Sequence, residues 1–165
     1  MAISSNNLST IGITIGDAAG IGPEITLKAI SDESVRAACR CVLIGDASHL
    51  RGLAAKLDLS LDDVEFVDLK NLPSEFEIGV DAAVTGKASA ECIVKAVELW
   101  REGKIDAICT APISKKAIAL GGYNYPGHTE FIAELTDTTD FRMSFFADKL
   151  RVVLLSTHLP LTKAI

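Results

Sequence analysis

Four short apolar, β-branched runs, each separated from the next by a stretch of helical spacing or by a loop, constrain this chain more than any other feature. "IGITI" (Ile11 to Ile15) stops at Gly16 and gives way to "PEITLKAI" (Pro23 to Ile30), which opens with Pro at a permitted first-turn position. "CRCVLIGD" (Cys39 to Asp46) precedes the helical "ASHLRGLAAKL" (Ala47 to Leu57), and "VEFVDL" (Val64 to Leu69) follows as a third strand. After the irregular "NLPSEFEIGV", the segment "SAECIVKAVELWREGK" places Ala90, Ile93, Val94, Val97 and Trp100 along one helical face and stops at Gly103. "IDAICTAP" (Ile105 to Pro112) is almost continuously apolar, the pattern of a central strand covered on both faces.

A short helical piece near Ser114 to Leu120, a Gly-Gly-Tyr-Asn-Tyr-Pro-Gly loop and a helix from about Thr129 come next. "FRMSFFAD" and "RVVLLST" flank a turn at Asp148 and Lys149 and predict a hairpin. Strands alternating with helices give an α/β fold, a mixed, mostly parallel sheet flanked by helices, with at least one antiparallel pair.

Composition narrows the class of function. The formal charge of −6, with sixteen scattered Lys and Arg, argues against nucleic acid as a partner, because phosphate neutralisation needs clustered cations. No apolar run reaches the roughly 18 residues of a spanning helix, and "MAISSNNLST" lacks the basic-then-apolar pattern of a signal peptide. A membrane is therefore not expected as a partner, and the cytoplasm is the expected location. Cys39, Cys41, Cys92 and Cys109 show no CxxC and no zinc-finger spacing, so they are expected to be buried, reduced thiols, with Cys39 and Cys41 on the same face of a strand.

Four constellations can carry chemistry. "GDAAGIGPE" (Gly16 to Glu24) joins a strand to a helix N-terminus, where free N–H groups can face an anion. Its spacing matches neither G-x-G-x-x-G nor a Walker loop. The alternative is a tight turn in which Asp17 bonds its own loop amides. "TAPISKKAI" brings Thr110, Ser114 and Lys115 to the carboxyl end of a buried strand, where open α/β sheets bind ligands, although Lys115 and Lys116 can equally be a solvated pair. "PGHTEF" sets His128 and Thr129 after a glycine-containing loop, as helix caps or as hydrogen-bonding groups for a polar substrate. His158 in "LLSTHLPL" follows a strand and is either a strand-end histidine or one ligand of a metal, which needs about three. His49, early in a helix, is assigned no role.

Taken in order, "ITIGDAAGIGPEI", "GKASA", "TAPISKKAI", "YPGHTEF" and "STHLPL" resemble the 4-hydroxythreonine-4-phosphate dehydrogenase family of pyridoxal phosphate biosynthesis. The resemblance implies an isocitrate/isopropylmalate dehydrogenase-like fold. It also implies NAD-dependent (or NADP-dependent) oxidation of 4-phosphohydroxy-L-threonine to a ketone that loses carbon dioxide, assisted by a divalent metal (Zn, Mg or Co). By the same resemblance His128 and Thr129 bind substrate, His158 supplies one metal ligand, and a homodimer shares the active site. Related enzymes act on a phosphorylated four-carbon sugar acid or a dihydrodiol carboxylate, and a non-catalytic remnant of the fold is a further alternative. Ala18 stands where the family usually has Pro, and Ser114 where it often has Asn. Residues 1–165 are expected to be the amino-terminal half of a two-domain dehydrogenase whose carboxy-terminal half is absent, and to be inactive alone.

Overall fold

A computed structural model describes residues 8–156 and 160–164. Its elements run β1 (Thr10–Thr14), α1 (Gly22–Ser31), α2 (Glu33–Ala38), β2 (Arg40–Gly45), α3 (Ala47–Lys56), β3 (Glu65–Asp68) and α4 (Ala83–Arg101). They continue with β4 (Ala107–Thr110), α5 (Lys115–Leu120), α6 (His128–Leu135), β5 (Ser144–Ala147), β6 (Leu150–Val153) and α7 (Leu161–Ala164). Three helices, α2, α3 and α5, start at side chains that satisfy orphan amides, while α1, α4 and α6 have no side-chain cap. Asp32 accepts from the Ser34 amide, Asp46 from the His49 amide and Ser114 from the Ala117 amide.

The strands form two separate sheets rather than one mixed sheet. β1 to β4 make a wholly parallel sheet in the order β3-β2-β1-β4, and among the described residues β5 pairs only with β6, antiparallel. Because β1 leads to β2 on one side while α4 carries the chain back to β4 on the other, strand order reverses between β1 and β4. In such sheets the crevice outside the carboxyl ends at the reversal is the usual ligand position.

Three expectations are corrected here. "IDAICTAP" is not central among the described residues: there β4 is the last strand of the sheet, with Ala107 and Cys109 exposed. An apolar run reports how well a strand can be covered, not how many strands lie beyond it. The helical face holds at Ala90, Ile93 and Val97, which are buried, and fails at Trp100, which is 45% exposed. α4 begins at Ala83 and is wedged between two layers: Cys92, Ala96 and Leu99 join the sheet core, while Ala90 and Ile93 join Ile118 and Phe131 in a second cluster. A helix buried on two sides has no single apolar stripe to read. Gly86 permits this wedge, because a Cβ there would overlap the Ala117 backbone of α5. Of the cysteines only Cys92 is buried; Cys39 and Cys41 are partly buried and Cys109 is exposed.

Candidate active site

The glycine loop and the segment after β4 meet at the strand-order reversal. Gly16 adopts φ +71, and a side chain there would run into the Ala111 and Pro112 backbone, so glycine serves both the left-handed turn and the close approach. The Asp17 amide donates to the Pro112 carbonyl at 2.9 Å, and the buried Asp17 carboxylate accepts from the Ala19 amide at 3.0 Å. Asp17 thus does what a turn residue does, and the missing Cβ atoms of Gly16 and Gly22 are taken up by packing against backbone.

Beyond β4, α6 carries the histidine and threonine of "PGHTEF". Its anchor is Phe131, 1% exposed, on which Tyr125 stacks at 4.1 Å with an interplanar angle of 10° and against which Tyr123 tilts at 5.7 Å. The Tyr125 hydroxyl donates to Glu134 Oε1 at 2.8 Å. The two tyrosines of the loop therefore hold it against the helix that follows, which fixes where residues 126–129 emerge.

That position is one wall of a cavity of about 360 Å³ lined by Lys115, His128, Thr129, Arg142 and Ser156 among others. His128 and Thr129 share this cavity with Lys115. Thr110 and Ser114 do not line it: Ser114 caps α5 and donates to the Asp81 carboxylate, which Lys116 also approaches at 3.4 Å. The Ser114 hydroxyl, and then Lys116, hold the Asp81 carboxyl below the usual range. Nothing in the irregular stretch before α4 singled out Asp81, since its partners are 33 and more residues away. His158 lies outside the described residues; Ser156, two positions before it, is in the cavity wall. Lys115 has no ion-pair partner among the described residues.

His128 is partly buried, and burial holds its pKa below 6.5, against a smaller opposite effect of a hydrogen bond with the Ala111 backbone. Its Nε2 is shielded from solvent and has no hydrogen-bond partner among the described residues. The imidazole is therefore neutral at physiological pH, with one ring nitrogen available to a ligand. His49, whose ring packs on Phe76 at 5.2 Å, is likewise pushed down by burial and carries an unpartnered Nε2.

A stability consequence follows with a defined sign. Both histidines have folded pKa values below the unfolded one, so their contribution is intact above about pH 6.5 and is lost as pH falls through the folded values. Below 6.5 the unfolded chain binds protons that the native one refuses. Each histidine adds a slope of at most about 1.4 kcal/mol per pH unit, reduced by its partial solvent access. Urea unfolding of wild type and H49Q between pH 8 and roughly pH 5 checks this. The variant should lose stability less steeply, and parallel curves would refute the assignment.

Comparisons with known proteins agree with this architecture. The family model described as "Pyridoxal phosphate biosynthetic protein PdxA" matches residues 37–165. The chain is 43% identical to D-threonate 4-phosphate dehydrogenase of Cupriavidus necator over 98% of this chain and 53% of that protein. It is 42% identical to a putative D-threonate 4-phosphate dehydrogenase of Oceanobacillus iheyensis over 94% of this chain and 52% of that one. A crystal structure of a 4-hydroxythreonine-4-phosphate dehydrogenase from Burkholderia phymatum superposes with a TM-score of 0.87 and 38% identity, covering 96% of this chain and 52% of that chain. The chain spans about half the length of the relatives it matches.

Proposed function

Because the chain belongs to the pyridoxal phosphate biosynthetic protein PdxA family, we propose that it is the amino-terminal half of an NAD-dependent dehydrogenase that oxidises a hydroxyl of a small phosphorylated hydroxy acid. The observation that carries the reading is the cavity in which Lys115, His128 and Thr129 meet beyond the carboxyl end of β4. The neutral His128 ring and the Thr129 hydroxyl hydrogen-bond the substrate's polar groups and fix its reacting carbon. Lys115 offers a cation to its carboxylate or phosphate.

Among the described residues no group of three or more His, Cys, Asp or Glu could hold a metal. His158 is accordingly proposed as one ligand, completed by residues from the remainder of a full-length enzyme. With His158 among its ligands, such an ion would lower the pKa of the reacting hydroxyl, and a nicotinamide cofactor would supply the hydride acceptor. Oxidation at C3 leaves a β-keto acid, which loses carbon dioxide. 4-Phosphohydroxy-L-threonine then yields 3-amino-2-oxopropyl phosphate.

A second substrate, D-threonate 4-phosphate, is favoured by the names of the curated relatives. The same steps convert it to dihydroxyacetone phosphate. A homodimer with a shared site is supported by the apolar β5–β6 ribbon, where Phe145, Phe146, Leu150 and Val153 are 55 to 73% exposed. Phe145 and Leu150 lie on one face of the ribbon and Phe146 and Val153 on the other, and exposed apolar surface of that extent marks a contact site.

The experiment is NAD reduction by the full-length protein with Zn, Mg or Co and each substrate in turn. We expect reduced nicotinamide and carbon dioxide in equal amounts from at least one of them. No reduction with either would end the proposal. Residues 1–165 alone should reduce none, and turnover by them would overturn the assignment of half a site.

A further inference from the structure

We propose that Cys39 and Cys41 form a reversible thiol–disulfide site at the amino-terminal edge of the sheet, remote from the substrate cavity. Their sulfurs are in contact at 3.7 Å and no disulfide joins them. Cys39 follows α2 in an extended conformation, φ −155 and ψ 163, and Cys41 is the second residue of β2, so the two side chains emerge on the same side. Residues two apart in extended backbone have Cα atoms about 6.6 Å apart, within the roughly 4.4–6.8 Å that a disulfide spans. α2, immediately before Cys39, buries none of its residues and can yield the small approach that bonding requires.

The pair is also reachable. Both thiols line an open cavity of about 670 Å³ with Arg36, Arg40, Asp63 and Glu65. Arg40, between the two cysteines in the chain, is engaged with Glu65 at 2.6 Å. Burial, with Cys39 as a further cause, pushes the Cys41 thiol up to about 11. Cys41 is fixed within β2 while Cys39 follows the unburied α2, so Cys39 is taken as the attacking thiol and Cys41 as the resolving one. Cys92 is buried and pushed up to about 12, and Cys109, although near enough to Cys41 to raise it slightly, has no sulfur contact like that of Cys39 with Cys41.

The chemistry balances with hydrogen peroxide as oxidant. The Cys39 thiolate attacks one peroxide oxygen, the O–O bond breaks, and the departing hydroxide takes a proton to leave as water. Cys41 sulfur then attacks the Cys39 sulfenic acid, forming the S–S bond and releasing a second water. Two electrons pass from the two thiols to the peroxide, and a dithiol reductant reverses the change.

Arg40 lies between the two cysteines and supplies the test. The purified protein is treated with hydrogen peroxide, alkylated and digested with trypsin, which cuts after Arg36, Arg40 and Arg51. Residues 37–40 and 41–51 should be recovered as one linked species, two hydrogens lighter than the sum of the peptides, and should separate after dithiothreitol. In C41S, labelling of Cys39 by dimedone should rise several-fold over wild type. Separate peptides in the oxidised sample, irreversible sulfinic acid at Cys39, or equal dimedone labelling of C41S and wild type would overturn the proposal.

Discussion

Replacing His128 by Ala is expected to lower kcat/KM of the full-length enzyme by about 10²–10³, the range for removing one preorganised hydrogen-bonding group from a reacting centre. The ring is neutral because burial disfavours its charge, and its Nε2 is shielded without a partner among the described residues. Stability should change little, since a partly buried ring at a helix start contributes less than a core aromatic. H128Q separates two roles. If the imidazole only binds, Gln should recover activity to within about tenfold of wild type, because it keeps a hydrogen-bonding atom near the position of Nε2. If it accepts a proton, Gln should remain as slow as Ala and the acidic limb of the pH profile should vanish with it. A fully active H128A would remove His128 from the site.

Much of this arrangement is legible in the amino-acid order. "IGITI" and "CRCVLIGD" mark strands because β-branched runs of that length stop at glycine or at the capping Asp46, and helix and strand periods differ enough to separate them. "PGHTEF" could be singled out because a glycine loop followed by polar groups at a helix start is poor core material. What stayed hidden depends on contacts across the chain. Trp100 fits the stripe of α4 but lies exposed, because α4 takes its burial from two layers at once. β4 reads as central since its residues are apolar, although position in a sheet is set by crossover handedness and by what else pairs with it. Asp81 is ordinary in sequence and gains a role only when α5 brings Ser114 and Lys116 to it.

The other large effect belongs to a residue outside the cavity wall. F131A should cost about 3–5 kcal/mol, the usual range for emptying an aromatic site in a core, against a total stability of roughly 5–15 kcal/mol. Phe131 joins Ala90, Ile93 and Ile118 in the cluster that holds α6 on α4, and it is the surface on which Tyr125 stacks. Without it the loop ending at Gly127 loses its support and His128 its fixed place, so activity should fall even where the variant is fully folded. The signature is a raised KM at a temperature well below the unfolding midpoint, with F131L recovering most of the stability and little of the affinity, because Leu fills volume but offers no face for stacking. Y125F, which keeps the stack and loses only the hydrogen bond to Glu134, should cost about 1 kcal/mol and leave KM near wild type. Urea unfolding and steady-state kinetics on the three variants decide it: an F131A enzyme as stable as wild type, or destabilised with unchanged KM, would show that α6 does not position the site through this ring.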